Sequence, residues 1–196
     1  MAVDGVPVHP EPRVYLALNK PRGLLCTSRD PQGRRTFLEC LPTLRRWRLY
    51  PVGRLDADSE GLLLVTNDGE LAARLIHPRY HVPKTYQVWC SPSVPQPWLD
   101  RFCRGVECEG EILRAVAVRP LEVRRSAARY EVTLIEGRKR QIRRMFAKAG
   151  ARVRRLLRTR IGPIELGRLP PGRWRHLNAS ELRALRTAIG LTDSAQ

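Results

Sequence analysis

The chain has 196 residues, of which 42% are hydrophobic and 28% charged, so it has the composition of one globular domain and not of a disordered chain. Its 36 Lys and Arg residues outnumber 19 Asp and Glu residues, giving a net charge of +17, and no apolar run approaches the roughly 20 residues that a membrane-spanning helix needs. The five cysteines are odd in number and form no CxxC pair, which favours free thiols and a cytoplasmic location over a disulfide-bonded secreted protein.

The positive charge is concentrated in the second half of the chain. Residues 138–160 contain 11 basic residues and no acidic residue. Such a cluster is typical of proteins that bind a polyanion such as nucleic acid. Taken alone, the charge favours a ribosome-associated or DNA-compacting protein without catalytic activity.

Short apolar runs predict the strands of the first half of the chain. These strands are expected at residues 14–18, 49–52, 62–66 and 85–90. Between them, residues 37–41 predict a short helix or turn. A longer helix is expected to begin at a cap formed by Asn67 or Asp68 and to end at Ile76, because Pro78 stops it.

The second half begins with a proline-rich loop at residues 91–97 and continues with alternating helices and strands. Helices are expected at residues 98–104 and 138–149, and strands at residues 112–118, 129–135, 152–161 and 164–166. Asn178 and Glu181 have the spacing of a capping box, which predicts a last helix that ends at Ile189. This mixture of elements indicates an α/β or α+β fold around a mixed sheet.

The strand predicted at residues 152–161 is unusually rich in arginine. Alternation along a strand would place Arg152, Arg154, Arg158 and Arg160 on one side. We expect that side to bind backbone phosphates.

A polar loop with the sequence GRLDADSEG occupies residues 53–61, between two predicted strands. An EF-hand calcium loop is excluded, because the position that needs a bidentate Glu is Asn67 and a strand occupies the second half of the loop. Three interpretations of the loop remain. Asp56 and Asp58 together bind Mg²⁺, Asp56 is a lone catalytic carboxylate kept ionised by an arginine, or the loop is a charged turn without function.

Four motifs together resemble the RsuA-type ribosomal RNA pseudouridine synthases. They are NKPRG at residues 19–23, GRLDADSEGLLLVTNDG at residues 53–69, KTYQV at residues 84–88 and EGRKRQIRRM at residues 136–145. The resemblance covers residues 13–190 and implies an α+β pseudouridine synthase fold, with a mixed, mainly antiparallel sheet, flanking helices and two lobes around a central cleft. It also implies an isomerase, an intramolecular transferase that converts a specific uridine of ribosomal RNA to pseudouridine, acting as a monomer without cofactor or metal.

The resemblance assigns roles to individual residues. Asp56 matches the essential carboxylate, and Arg143 matches the basic residue that pairs with it. Tyr86 is expected to line the pocket of the flipped uracil, Leu156 to pack under that pocket, and Arg54 to help displace the base. The remaining basic residues of the motifs are expected to bind RNA; they are Lys20, Arg22, Arg138, Arg140 and Arg144.

Most members of this subfamily carry a small RNA-binding module before the catalytic domain. We interpret residues 1–12 as a linker or the remnant of such a module, whether naturally absent or trimmed, residues 13–190 as the catalytic domain and residues 191–196 as a tail. The alternative function is that of a non-catalytic ribosomal RNA-binding or assembly protein. Asp56 distinguishes the two, because a protein that only binds RNA has no need of a carboxylate in a cationic cleft. The residues do not indicate which uridine is modified or in which ribosomal subunit.

Overall fold

A computed structural model describes residues 2–3, 6–7 and 11–191 of the protein. The described strands, in chain order, are β1 (Ala2–Val3), β2 (Val6–Pro7), β3 (Tyr15–Lys20), β4 (Tyr50–Val52), β5 (Glu60–Thr66), β6 (Lys84–Ser91), β7 (Val106–Cys108), β8 (Glu111–Leu113), β9 (Ala117–Arg124), β10 (Ala127–Leu134), β11 (Arg152–Ile161), β12 (Ile164–Glu165) and β13 (Trp174–His176). The α-helices are α1 (Gly69–Ile76), α2 (Gln96–Arg104), α3 (Gln141–Lys148) and α4 (Ala179–Ala188), and short 3-10 turns occur at Phe37–Cys40, Pro42–Leu44 and Pro78–Tyr80. None of the helices in this part of the chain is long and apolar enough to cross a membrane.

Nine of these strands form one sheet. Seven lie in the order β13-β3-β5-β11-β6-β10-β9, while β4 pairs with β5 and β12 pairs with β11. Within the described residues the sheet is antiparallel throughout, except where β5 and β11 run parallel. The predicted α+β class with a mixed, mainly antiparallel sheet is therefore confirmed.

The parallel contact between β5 and β11 is the narrow point of the sheet. It joins only two residue pairs, Leu157 with Glu60 and Arg158 with Gly61. The apolar core of the described residues consists of three clusters: one packs β6 and β10 against α2 and α3, a second packs β5 against α1 and α4, and a third packs β3 and β5 against Phe37 and Leu41. A junction between two separately packed halves is where a cleft forms, and the loop that carries Asp56 immediately precedes β5.

Local sequence signals account for most of the helices. Asp68 accepts a hydrogen bond from the Leu71 amide and caps α1, and the Asn178–Glu181 capping box at the start of α4 is present in full. Both predicted caps are confirmed. The predicted helix at residues 138–149 begins only at Gln141, because Arg140 adopts a left-handed conformation with a φ of 51°.

Two strand predictions need correction. The strand expected at residues 112–118 is split between the end of β8 and the start of β9. The expected one-sided row of arginines on β11 is wrong, because the pairing of β11 with β6 shifts register twice, between Val153 and Arg155 and between Arg158 and Arg160. As a result Arg158 is buried, whereas Arg152, Arg154 and Arg160 are exposed.

The proposed domain limits remain predictions. Part of the predicted linker at residues 1–12 lies outside the described residues, and within it β1 pairs with β2. The predicted tail at residues 191–196 lies outside the described residues except for Leu191.

Candidate active site

The loop before β5 is fixed by contacts from distant parts of the chain. The Gly23 amide donates to the Ala57 carbonyl at 2.7 Å, and the Leu55 amide donates to the Cys26 thiol at 3.3 Å. Within the loop, the Ser59 amide closes a turn on the Asp56 carbonyl at 3.0 Å. Since the Leu55 side chain is also buried in the core, the Asp56 carboxylate is presented from a fixed backbone.

Asp56 lies at the edge of a cavity of about 690 Å³. Part of its wall is apolar and consists of buried side chains, which include Leu55, Tyr86, Leu134, Ile142 and Leu156. Arg54, Arg138, Lys139 and Arg140 also line the cavity, and all four are exposed. The structure thus brings together six of the residues that the sequence selected, from four separate segments: Arg54 and Asp56, Tyr86, Arg138 and Arg140, and Leu156.

The arrangement of this cavity fits a flat uncharged ring. Tyr86 and Leu156 occupy the neighbouring strands β6 and β11, and each side chain faces the same apolar core. The Asp56 side chain is 34% exposed, so an incoming molecule can reach its carboxylate. A cavity with a buried apolar wall, an accessible carboxylate and exposed cations can hold an uncharged base while the cations bind the attached phosphates.

The predicted pairing of Arg143 with Asp56 is wrong in this structure. The Arg143 guanidinium lies 3.2 Å from the Asp58 carboxylate and donates to the Asp58 carbonyl at 3.1 Å and the Val153 carbonyl at 3.2 Å. The cation within ion-pair distance of Asp56 is Arg140, whose guanidinium lies 3.8 Å from the carboxylate. The Arg140 guanidinium also pairs with Asp58, at 3.3 Å, so both arginines contact Asp58 and, of the two, Arg140 is the one within ion-pair distance of Asp56.

Burial affects the charge of Arg143. Its side chain is 13% exposed, and this burial lowers the pKa of the guanidinium, while the charge of Asp58 raises it. Arginine remains protonated at neutral pH even so. Arg143 therefore supplies a fixed positive charge to the loop that carries Asp56, although it does not contact that carboxylate.

Lys20 does not bind RNA as predicted, because its side chain is fully buried. Its ammonium group donates to the Pro21 carbonyl at 2.9 Å and the Leu24 carbonyl at 3.0 Å. Burial lowers the pKa of this amine, and the charge of Asp56 opposes that shift. Lys20 thus fixes the turn at residues 21–24, whose Gly23 amide holds the loop of Asp56.

Arg144 and Arg22 are engaged by neighbouring acids. The Arg144 guanidinium binds Glu109 at 3.0 Å, Glu111 at 2.7 Å and the Cys108 carbonyl at 2.6 Å, so it fastens the β7–β8 hairpin to α3. Arg22 lies 3.4 Å from Glu60 and donates to the Arg154 carbonyl at 3.0 Å. The RNA-binding role predicted for Arg144 is therefore not favoured, while Arg22 remains 47% exposed.

In the described part of the chain, no three His, Cys, Asp or Glu side chains come together in a way that would hold a metal ion. Asp56 and Asp58 both lie near the Arg140 guanidinium, at 3.8 and 3.3 Å, but they line different cavities: Asp56 lines the cavity of Tyr86, and Asp58 lines a second, basic cavity of about 1020 Å³. The geometry therefore favours Asp56 acting as a single carboxylate over the pair acting as magnesium ligands.

Comparison with known proteins identifies the family. The family model described as RNA pseudouridylate synthase matches residues 14–148. An uncharacterised RNA pseudouridine synthase of Aquifex aeolicus is 44% identical over 190 residues, which cover 96% of this chain and 76% of that protein. The chain belongs to the RNA pseudouridine synthase family. The enzyme is thus an isomerase.

Further matches define the type of pseudouridine synthase and its fold. The ribosomal large subunit pseudouridine synthase B of Bacillus subtilis is 38% identical over 186 residues, covering 94% of this chain and 76% of that protein, which confirms the RsuA/RluB-type resemblance of the motifs. A crystal structure of a pseudouridylate synthase superposes with a TM-score of 0.81 at 32% identity, covering 90% of this chain and 75% of that chain. A chain from an H/ACA RNP structure, at 18% identity and a TM-score of 0.60 over 78% of this chain and 48% of that one, shares the fold.

Two buried polar residues of this pseudouridine synthase make contacts that the sequence did not predict: Arg158, which was expected to bind phosphate, and Gln141. Arg158 donates to the Leu62 carbonyl at 2.7 Å and to the Arg54 carbonyl at 3.4 Å, so it holds the loop of Asp56 from behind. Gln141 donates to Glu136 at 2.7 Å and accepts from the Arg138 amide at 3.1 Å, which folds the turn before α3. Each lies within a basic stretch or a known motif, where nothing in the residue pattern distinguishes a buried side chain from an exposed one.

Proposed function

We propose that this enzyme isomerises a uridine of ribosomal RNA to pseudouridine, with Asp56 as the catalytic carboxylate. The observation that carries the proposal is that Asp56 lines one cavity together with the buried Tyr86 and Leu156 and with several exposed arginines. The second carboxylate of the same cavity, Asp30, is bound by Arg34 at 2.7 Å and is therefore engaged elsewhere. Asp56 remains as the acid available to a bound nucleotide.

The reaction requires little beyond one carboxylate and a place for the base to turn. The C1′–N1 bond breaks, the uracil rotates, a C1′–C5 bond forms, and C5 gives up a proton while N1 gains one. An ionised Asp56 serves either by attacking C1′ or by assisting loss of the C2′ proton. Both routes need the carboxylate charged, and the guanidinium of Arg140 lies 3.8 Å from it.

The target uridine must leave its stack before it reaches Asp56. Extruding a base costs a few kcal/mol, and an apolar or aromatic surface that receives the base offsets part of that cost. We assign this role to Tyr86 and Leu156, with Ile142 completing the slot. Arg54, Arg138 and Arg140 at the edge are placed to hold the displaced backbone by its phosphates.

The relatives support ribosomal RNA as the substrate class. Proteins named ribosomal large subunit pseudouridine synthase B match this chain in Pasteurella multocida at 40% identity and in Bacillus subtilis at 38% identity. These names favour large-subunit ribosomal RNA over small-subunit RNA. We further propose that the enzyme acts in the cytoplasm, as a monomer and without a cofactor.

The decisive experiment is nucleotide-resolution mapping of pseudouridine in ribosomal RNA from cells with and without this gene. We expect one site to be lost on deletion and restored by the wild-type gene but not by Asp56→Asn, because the amide can neither attack C1′ nor accept a proton. Asp100→Asn, at an exposed acid on α2, is the matched control and should restore the site.

Two outcomes would contradict the proposal in different ways. An unchanged pseudouridine map on deletion, with a defect in ribosome assembly, would favour the non-catalytic assembly protein. Restoration of the site by Asp56→Asn, with the purified variant turning over within tenfold of wild type, would remove Asp56 from the mechanism.

A further inference from the structure

A second cavity, separate from the slot of Tyr86, lies beside the loop of Asp56. It has a volume of about 1020 Å³ and is formed by the end of α3, the start of β11 and the hairpin of β7 and β8. We call it the basic groove. The charged residues that line it are Arg22, Asp58, Glu109, Arg140, Arg143, Arg144, Lys148, Arg152 and Arg154.

The charge of the basic groove is only partly neutralised by the protein. Arg143 is paired with Asp58, and Arg144 with Glu109 and Glu111. In contrast, Lys148, Arg152 and Arg154 form no side-chain ion pair or hydrogen bond with any residue that the structure describes. Like charges that are held together without counter-charges repel one another, so this cluster is complementary to an anion from outside.

The uncharged part of the groove wall is unsuited to binding a base. Its members are Cys108, Ala147, Gly150, Ala151 and Val153, so the groove has no aromatic side chain on which a base could stack. The slot of Asp56 differs, because Tyr86 and several leucines line it. The groove is thus suited to recognise charge, and the slot to recognise a ring.

Arg140 connects the two cavities. It lines both of them, and its guanidinium lies 3.8 Å from the Asp56 carboxylate and 3.3 Å from the Asp58 carboxylate. An RNA strand whose target base enters the slot must continue past Arg140 on at least one side. The unpaired cations of the groove lie along that continuation.

We propose that the basic groove is a binding site for the RNA phosphodiester backbone next to the flipped nucleotide, with Lys148, Arg152 and Arg154 as its phosphate contacts. This inference rests on the proposed function, because the groove can bind the backbone beside the target uridine only if Asp56 is the catalytic residue. The site binds without regard to sequence, because it reads phosphates and not base edges.

The first test compares two double variants that remove the same charge. Arg152→Gln with Arg154→Gln removes two groove contacts, and Arg168→Gln with Arg183→Gln removes two exposed arginines that line neither cavity. Binding of a ribosomal RNA stem-loop is measured by filter binding over a range of salt. We expect the groove variant to lose affinity about tenfold or more and to reduce the salt slope by roughly one unit per lost contact, with a much smaller change in the control.

The second test locates the contacts along the RNA. Neutral methylphosphonate linkages are placed one at a time around the target uridine, and wild type is compared with the groove variant. We expect one or two linkages beside the uridine to weaken wild-type binding but to leave the affinity of the groove variant nearly unchanged, because the contact is already lost. The control variant, Arg168→Gln with Arg183→Gln, is expected to keep the wild-type rate of a single turnover at saturating RNA, because both arginines lie outside the two cavities.

The outcomes separate the groove from the catalytic proposal. The assignment of the groove would be overturned if the groove and control variants lost RNA affinity equally. It would also be overturned if every methylphosphonate weakened binding by the groove variant as much as binding by wild type. A second outcome is that wild type makes no pseudouridine, yet a methylphosphonate at one linkage weakens RNA binding by wild type and not by the groove variant. In that case the groove remains an RNA-binding site and the proposed reaction is wrong. A third outcome is that pseudouridine forms, but every methylphosphonate weakens RNA binding by wild type and by the groove variant equally. In that case the proposed reaction remains and the assignment of the groove is wrong.

Discussion

Gly61 is the residue on which the junction between the two halves of the sheet depends. Its φ is +107°, and a Cβ added there would lie 2.3 Å from the Arg158 carbonyl oxygen and 2.7 Å from the Arg158 amide nitrogen. Both neighbours are backbone atoms of β11, so no side chain can move aside to make room. We predict that Gly61→Ala forces β5 and β11 apart where they run parallel.

The size of the effect follows from two separate penalties. Overpacking of a well-packed interior costs about 1–3 kcal/mol, and a positive φ costs a residue with a Cβ roughly 1–2 kcal/mol. Together they lower the free energy of unfolding by roughly 2–5 kcal/mol, a large part of the ~5–15 kcal/mol that a domain has. For a chain of this length each kcal/mol shifts Tm by about 2–4 °C, so we expect a fall on the order of 10 °C.

Gly69→Ala is the matched control. Gly69 starts α1, has no positive φ, and has open space where a Cβ would be placed. The substitution should leave stability unchanged or raise it by up to about 1 kcal/mol, because alanine favours the helix. The prediction is tested by measuring the free energy of unfolding in urea, the Tm and the single-turnover activity of both variants. A Gly61→Ala protein within about 0.5 kcal/mol of wild type would refute the reasoning.

Two further predictions concern the site, and a third concerns the pH dependence of stability. Arg143→Ala should slow the single-turnover step at saturating RNA more than it weakens RNA binding, because Arg143 fixes the Asp58 carbonyl next to Asp56. If the variant changes only the affinity for RNA, Arg143 acts as a phosphate contact and not through the loop. Turnover should persist in excess EDTA, because Asp56 and Asp58 line different cavities; a loss that Mg²⁺ restores, with the RNA still folded, would favour the magnesium interpretation. Burial lowers the pKa of Lys84 from 10.5 to about 8, so the unfolded chain binds more protons between those pH values and the free energy of unfolding should rise with pH there. Lys84→Met should remove this pH dependence. Urea unfolding of both proteins at several pH values measures it, and a difference in the free energy of unfolding that does not change with pH would contradict the prediction.

The features that the sequence predicted correctly are those that depend on residues close together in the chain. The cap at Asp68 and the capping box of Asn178 and Glu181 are local patterns, and both are present. The alternation along β10 is also local, and Tyr130 and Val132 are buried as the pattern requires. The resemblance of the motifs predicted the fold, because four motifs in one order determine which strands meet.

What the sequence did not predict depends on contacts between distant segments. The two register shifts of β11 arise from its pairing with β6, and they bury Arg158 within a row of otherwise exposed arginines. Lys20 resembles a surface lysine in a turn, and only the packing of the turn shows that it is enclosed. The choice of Arg140 over Arg143 as the neighbour of Asp56 depends on one backbone angle before α3.

The two buried cations behind the catalytic loop have a common explanation. A buried charge without a carboxylate partner destabilises a folded protein, and Lys20 and Arg158 form no ion pair within the described residues. One nitrogen of Arg158 is also buried without a hydrogen-bond partner. Yet each cation donates to carbonyls that bracket the loop, Lys20 to Pro21 and Leu24 before it and Arg158 to Arg54 within it. These hydrogen bonds hold the loop that carries Asp56 in one conformation, so the two buried cations are explained by the site that they support.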